Sequence, residues 1–543
     1  MTTNDKKLVL AHLWLSLVLL ICALFLGFWQ FWFRSPIPPN LGTPTTYYAS
    51  VTAHGTIIAY AFTTLFALGF GYAVTALSTG APLRWRNSAW LAFAIIVAGI
   101  ICVIAAVVHG RASVLYTFYP PLMASALFYV GITLIIVASW FWVAQTIASF
   151  YAWKRANRSQ PTPLGLYMVA ATALLWMWTS VGAAAELIFQ LIPLALGWID
   201  RIDVGLARTL FSWTLHGIVY FWLLPAYIAL YLIVPEEAGG RLYSDPMARL
   251  SFVLFLVFGL PVGLHHLYMD PEHGSAFKFV QGVLTAFVAL PTLLTVFSLC
   301  ASLEIAGRLR GGRGLLGWLT ALPWSRPAVL ATGLAAIMLG LGGLGGLINM
   351  SYTLNAAVHN TAWVTAHFHL IFGGAVVILY FAIAYWLWPM LTGRSLFSVA
   401  AARIQLVTWA VGILVLTLPW HAAGVMGEPR RMAFFDYSDA VLRPTIWLTI
   451  VSLLGGVLVL FSGLHFLWNM VRTQFGEKVV SDISLRFARP VFSDGHLPNS
   501  LNGFALWNGL TAVALLVAYG WPVAQFFIYP SSGVAGHFVG GHP

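Results

Sequence analysis

Thirteen apolar runs, each about 20 residues or longer, recur along this 543-residue chain, and that is the length needed to cross the hydrocarbon of a bilayer. Inside lipid every backbone N–H and C=O must find its partner within the protein, and runs of this length do so as α-helices, whereas barrel strands are about half as long. Helices are therefore predicted at 8–33, 47–78, 88–109, 122–151, 165–195, 206–234, 247–269, 275–305, 327–348, 361–391, 402–427, 442–472 and 502–528. Charged residues make up only 8% of the chain, against roughly a quarter in soluble domains. Too few charges are present to cover a water-facing surface, which excludes a soluble enzyme. The formal charge of +11 is scattered through short loops and forms no stripe that could track nucleic acid. The connections leave no room for a second domain, so residues 1–543 are read as a single all-α integral membrane domain without internal repeats. The N-terminal run is too long, and its start too polar, for a cleavable secretory signal.

Basic residues on alternate loops set the orientation. Placing the N-terminus inside gathers most of the 27 Lys and Arg on that side, including Lys6, Lys7, Arg84, Arg86, Arg308, Arg310 and Arg313. The C-terminus then lies outside. Cys22, Cys102 and Cys300 sit far apart in apolar runs, so neither a disulfide framework nor a thiolate metal centre is expected.

Ionisable side chains within spans are costly and point to function. On this topology His54, His216, His265, His266, His367 and His369 all fall in the outer half of the membrane, on four helices. His359 and His421 lie near the same side, and His12 and His465 near the inner face. A lone intramembrane histidine is usually a packing residue, but six at one depth suit metal or haem ligation. Residues i and i+2 on a helix point about 200° apart. His367 and His369 thus cannot share one metal but can each hold one on opposite flanks, which implies two cofactors. His265 and His266, about 100° apart on a helix, can converge on one ion with His216, and three imidazoles with an open position suit copper or zinc. His54 is left to pair with His367 or His369, with Gly55 beside it leaving room for a flat macrocycle. Tyr220, one turn inward from His216, reaches the same metal site.

The segments TAHGTIIAY at 52–60, RTLFSWTLHGIVYFWLLPAY at 208–227, PVGLHH at 261–266 and VHNTAWVTAHFHL at 358–370 resemble subunit I of the haem–copper terminal oxidases, in the B-type (ba-type cytochrome c oxidase) group. The likeness extends to LYTFYPPL at 115–122, SDPMARL at 244–250 and SLEIAGRLRGGRG at 302–314. The resemblance implies His54 and His369 as axial ligands of a low-spin haem, expected to be of b type. It also implies His367 as the proximal ligand of a high-spin haem, expected to be of a type, and His216, His265 and His266 as ligands of one copper ion. Tyr220 would be the tyrosine that the family joins covalently to its copper-ligand histidine, here His216, and which supplies an electron and a proton when the O–O bond breaks. Asn349, His359, Arg430 and Arg431 match positions that hold the haem propionates.

Tyr227 and Tyr231 continue from Tyr220 along the inward face, and Thr292, Thr295 and Ser298 form an i, i+3, i+6 row; hydroxyls so spaced can carry a water chain. The family runs a single proton channel through these positions, shared by substrate and pumped protons. Glu186, buried in a span, is given no role beyond a hydrogen bond or proton site. The implied activity is reduction of dioxygen to water with electrons from cytochrome c, coupled to proton uptake and pumping. The implied partners are a subunit II with a dinuclear copper centre, a small single-helix subunit and membrane lipid, with no nucleic acid. The implied location is a bacterial or archaeal plasma membrane, N-terminus cytoplasmic. Four departures stand out: Gly217 replaces a proline after the copper ligand, Ser212 a tryptophan, Leu215 a glycine, and Asn355 an aspartate beside the high-spin haem propionate. A nitric oxide reductase of the superfamily typically carries glutamate where Tyr220 stands, and A-type oxidases carry glutamate where Ile218 stands. A cofactor-free proton-relay transporter would be colourless when purified.

Overall fold

The computed structural model describes residues 1–478, 485–492 and 497–539. Among them, twelve helices are long and apolar enough to span a membrane. They are α1 (Thr3–Arg34), α2 (Pro44–Thr79), α3 (Arg86–Val108), α4 (Ala126–Ala156), α5 (Leu164–Ala195) and α6 (Val204–Glu237), then, after a shorter α7 (Asp245–Phe258), α8 (Ser275–Leu309), α9 (Pro327–Met350), α10 (Ala362–Thr392), α11 (Val399–Val425), α12 (Arg443–Gln474) and α13 (Ala505–Ile528). The predicted spans all coincide with helices, but the run 247–269 is helical only to Phe258. Its remainder is irregular, with a 3₁₀ turn at Gly263–Leu267. Pro261 has no N–H to continue the helix, and close packing against α6 holds the break: a Cβ on Gly263 would lie 1.7 Å from the Ser212 carbonyl oxygen.

Helices α2, α6 and α10 form the centre, with about nine-tenths of their most apolar stretches buried. Only 17% of the corresponding stretch of α8 is buried. Small residues let the inner helices approach: a Cβ at Gly182 would stand 2.4 Å from the Leu210 carbonyl oxygen and one at Gly217 2.6 Å from Thr179 Oγ1. Gly217 is therefore a site of tight α5–α6 packing, with Thr179 occupying the space a larger residue would need. At the inner end, β1 (Leu242–Ser244) pairs in parallel with β2 (Pro490–Phe492).

Among the described residues, three helices contain wide π turns, at Ile57–Phe62 in α2, Leu187–Leu191 in α5 and His369–Val376 in α10. Such turns concentrate at functional sites. The first begins three residues after His54 and the last at His369 itself.

Gly263→Val will force the α6–α7 junction apart and lower stability by at least about 1–3 kcal/mol, read as a fall in thermal unfolding temperature in detergent. Gly509→Ala, on α13 where a Cβ meets nothing within 4 Å, will not lower that temperature, since alanine favours a helix over glycine.

Candidate haem–copper site

The structure brings all six predicted histidines to the wall of one cavity of about 930 Å³. His54 and His369 face each other with ring centroids 6.2 Å apart and planes 15° from parallel. Each ring is steered by Nδ1, which lies 2.8 Å from the Ala23 carbonyl for His54 and 2.8 Å from the Thr365 carbonyl for His369. A carbonyl only accepts, so Nδ1 carries the proton in both rings and Nε2 is left as the ligand atom. Gly27 lies one turn beyond Ala23, and a Cβ there would come within 3.0 Å of His54 Cε1. Gly27 is thus the residue that clears the His54 ring. Gly55 does something else: its missing Cβ admits Tyr116, whose Cβ would be 2.9 Å away. The expected room for a macrocycle at Gly55 is therefore taken by a side chain from the α3–α4 loop.

His367 points away from this pair, as the i, i+2 spacing requires. A Cβ at Gly345 of α9 would be 2.7 Å from its Nδ1, and that nitrogen is buried without a hydrogen-bond partner among the described residues. Across the cavity, His216, His265 and His266 place one ligand atom each within 4.8 Å of the others. His265 and His266 converge because they sit on the 3₁₀ turn rather than on an α-helix, with ring centroids 4.2 Å apart. His265 is fixed through Nδ1 to the Val262 carbonyl, with Thr285 Oγ1 at 3.2 Å. His216 Nδ1 is 3.2 Å from His266 Nε2, and its Nε2 is 2.8 Å from the Tyr220 hydroxyl. The phenol expected at the metal cluster is there.

At the outer end, Arg430, Arg431, Asn349 and His359 also line the cavity. Arg430 Nε, Arg431 Nη1 and Asn349 Oδ1 are buried without partners among the described residues. Burial, reinforced by Arg431, lowers the Arg430 guanidinium to about 9. Burial and the neighbouring Arg430, Arg208 and Arg431 lower the His359 imidazole to about 4. Buried cations this close together are costly unless an anion joins them. Arg208, which the sequence reading missed, lines the same end and pairs with Asp270 at 3.0 Å; two residues distant by 62 positions carry no sequence signal of pairing.

Inward of Tyr220 the cavity wall includes Tyr227, Thr292 and Thr295. Tyr231 donates to Thr295 Oγ1 at 3.0 Å. Ser251 of α7, also missed, stands 2.8 Å from the same oxygen. Ser298 is buried, and its hydroxyl has no partner among the described residues. Glu186 is fully buried, with both oxygens likewise unpartnered, and it is not among the residues lining this cavity.

With this geometry in place, comparison with known proteins gives its context. Residues 7–458 match the family model for cytochrome c and quinol oxidase polypeptide I. The chain belongs to the haem–copper oxidase subunit I family. It is 38% identical over 494 residues to cytochrome c oxidase subunit 1 of Thermus thermophilus, covering 89% of this chain and 87% of that protein. Cytochrome c oxidase subunit 1 of Thermostichus vulcanus is 28% identical over 454 residues, 81% of this chain and 78% of that one. A solved heme-copper terminal oxidase dimer superposes with a TM-score of 0.95 at 32% identity, covering all of this chain and 96% of the other. The chain is thus an integral membrane subunit of a terminal oxidase of the cytochrome c oxidase kind, an enzyme of haem and copper that works with a subunit II.

The residues present fit such groups. Two imidazoles on opposite faces of one metal, with bonds of about 2 Å, have ring centres separated by little more than 6 Å, the spacing of His54 and His369. The unpartnered Arg430 and Arg431 atoms fit anionic substituents, and the three-histidine cluster fits copper.

Thr295→Val will remove the acceptor 3.0 Å from the Tyr231 hydroxyl, while Ser251 keeps its bond to the Pro291 carbonyl, and will cost about 1–3 kcal/mol. Thr292→Val will cost less, because the half-buried Thr292 hydroxyl has a long 3.4 Å bond to the Val288 carbonyl of its own turn beside its contact with Tyr227. Thermal unfolding of the two variants side by side checks the difference.

Proposed function

We propose that this chain is the catalytic subunit of a B-type cytochrome c oxidase, with His54 and His369 holding a low-spin haem of b type, His367 a high-spin haem of a type, and His216, His265 and His266 one copper ion. The observation that carries this reading is the Tyr220 hydroxyl, 2.8 Å from a nitrogen of a three-histidine cluster that shares its cavity with the parallel His54–His369 pair. When bound, the high-spin haem and the copper supply the electrons and the open coordination positions at which dioxygen is reduced to water. Tyr220 stands where a hydroxyl hydrogen and an electron can be delivered to that pocket. The tyrosine, in place of the glutamate typical of nitric oxide reductases, supports oxygen as substrate, and Ile218 supports the B-type over the A-type.

Protons reach Tyr220 from the inner side along Tyr231, Thr295, Thr292 and Tyr227, with Ser298 at the inner end. Tyr231 is eleven residues from Tyr220, about 16 Å along a helix or roughly half a hydrocarbon core. Ser251 and Thr295 hold the Tyr231 hydroxyl at a fixed point of that path. Pumped protons share the route. At the outer end Arg430, Arg431, Asn349 and His359 bind the propionates. Electrons come from cytochrome c through a subunit II bearing a dinuclear copper centre, consistent with three separate free cysteines here. A single-helix subunit and lipid complete the assembly in a bacterial or archaeal plasma membrane, with the N-terminus cytoplasmic and residues 1–543 folding as one domain.

Tyr220→Phe will keep both haem spectra and lose at least about a hundredfold in oxygen reduction. His54→Ala will remove the low-spin spectrum and His367→Ala the carbon monoxide-binding one, by reduced-minus-oxidised and carbon monoxide difference spectra; exchange of these two outcomes would reverse the ligand assignment. Thr295→Val will slow turnover without changing either spectrum, and wild-type turnover with intact pumping in it would place the proton route elsewhere.

A further inference from the structure

We propose that Asn355 is a positioning residue that locks His359 in the tautomer protonated at Nδ1, so that Nε2 is the only ring atom through which His359 exchanges a proton. The argument rests on which atoms can donate. Asn355 is buried in the middle of a short helix, Tyr352–Val358, between α9 and α10. Its Nδ2 lies 2.8 Å from the Asn349 carbonyl oxygen. A carbonyl accepts and never donates, so the amide cannot be turned round: nitrogen faces Asn349, and Oδ1 faces His359 Nδ1 at 3.2 Å. Oδ1 is also only an acceptor, so the hydrogen between them belongs to His359.

Backbone bonds reinforce the arrangement, since the His359 N–H donates to the Asn355 carbonyl and the Asn355 N–H to the Ser351 carbonyl, both at 2.7 Å. The groups whose charge acts on His359 come from three other elements: Arg208 of α6, Arg430 and Arg431 after α11, and His266 after α7. All are cationic or neutral. The imidazole is therefore held neutral, with its lone pair on Nε2 at the anion-binding end of the cavity.

An ionised aspartate at 355 would undo this twice over. It has no hydrogen to give the Asn349 carbonyl, and its charge would favour the doubly protonated ring. The amide at this position thus replaces a fixed negative charge by a neutral clamp, and leaves His359 as the titrating group at this end. The inference refines the reading of His359 at the propionate end and rests on it for what Nε2 faces: an unprotonated Nε2 meets a propionate through a bridging water or the acid form, since it accepts and cannot donate to a carboxylate; the tautomer itself follows from the hydrogen bonds alone.

His359 is the only histidine followed by asparagine, so labelling histidine with ¹³C and ¹⁵N and asparagine with ¹⁵N singles it out. Solid-state NMR of the reduced, carbon monoxide-bound oxidase, which is diamagnetic, then reads both ring nitrogens. The wild type will show Nδ1–H and unprotonated Nε2 at neutral pH. Asn355→Asp will show a second ring proton, and the midpoint potential of the carbon monoxide-binding haem will gain a pH-dependent step between about pH 5 and 8 that Asn355→Gln lacks. An Nε2–H tautomer in the wild type overturns the proposal, whether or not the variants assemble. So does an unchanged ring and potential in Asn355→Asp. Failure of the propionate reading would appear separately, as both haem spectra unaltered by Arg430→Ala combined with Arg431→Ala.

Discussion

A hydrogen bond from a ring Nδ1 to a main-chain carbonyl recurs at the centre of this protein, and it aims three of the six histidines that line the cavity. An imidazole inside a bilayer can turn about two bonds, and only a fixed partner on one nitrogen aims the other. His54 finds that partner on another helix, the Ala23 carbonyl of α1. His369 finds it in its own preceding turn, the Thr365 carbonyl, and His265 in the irregular segment at Val262. The backbone must be accessible for this to work. Gly27 supplies the access at α1, where any side chain would meet the His54 ring; the break after Phe258 and the π turn beginning at His369 supply it elsewhere.

The helical framework, the gathering of six histidines at one cavity and the reach of Tyr220 to His216 are all legible in the chain, because each follows from a periodicity or a spacing that the bilayer enforces. Features that arise from one helix meeting another are not. Nothing near Gly27 in sequence marks it as the clearance for a histidine 27 positions away. Ser251 reads as an ordinary small residue in an apolar run until α7 is packed on α8 and its hydroxyl meets Thr295. His265 and His266 converge through a 3₁₀ turn and not the helix that the length and hydropathy of 247–269 predict, because the break after Phe258 depends on packing against α6 as well as on Pro261.

The departures from the family pattern divide in the same way. Gly217 is explained by the 2.6 Å approach of Thr179 Oγ1 to where its Cβ would stand, so the local constraint lost with proline is replaced by packing between α5 and α6. Ser212 keeps its hydroxyl bonded to the Thr209 carbonyl and presses its own carbonyl against Gly263. Ser212 thus serves the junction that delivers the histidine pair, and Gly217 the α5–α6 seam beside it. Leu215 lines the cavity wall.

The shallow burial of α8 ties the chemistry to the solvent around it. This helix carries Thr292 and Thr295, yet only 17% of its most apolar stretch is covered by the rest of the chain. Leu293, Val296 and Phe297 beside them are exposed, so acyl chains or a neighbouring protein must supply the lateral pressure that keeps the hydroxyls in register with Tyr231. The composition and order of the surrounding bilayer thereby become part of the proposed proton route. Harsh delipidation would slacken this flank while leaving the α2–α6–α10 centre, and the colour of the enzyme, intact.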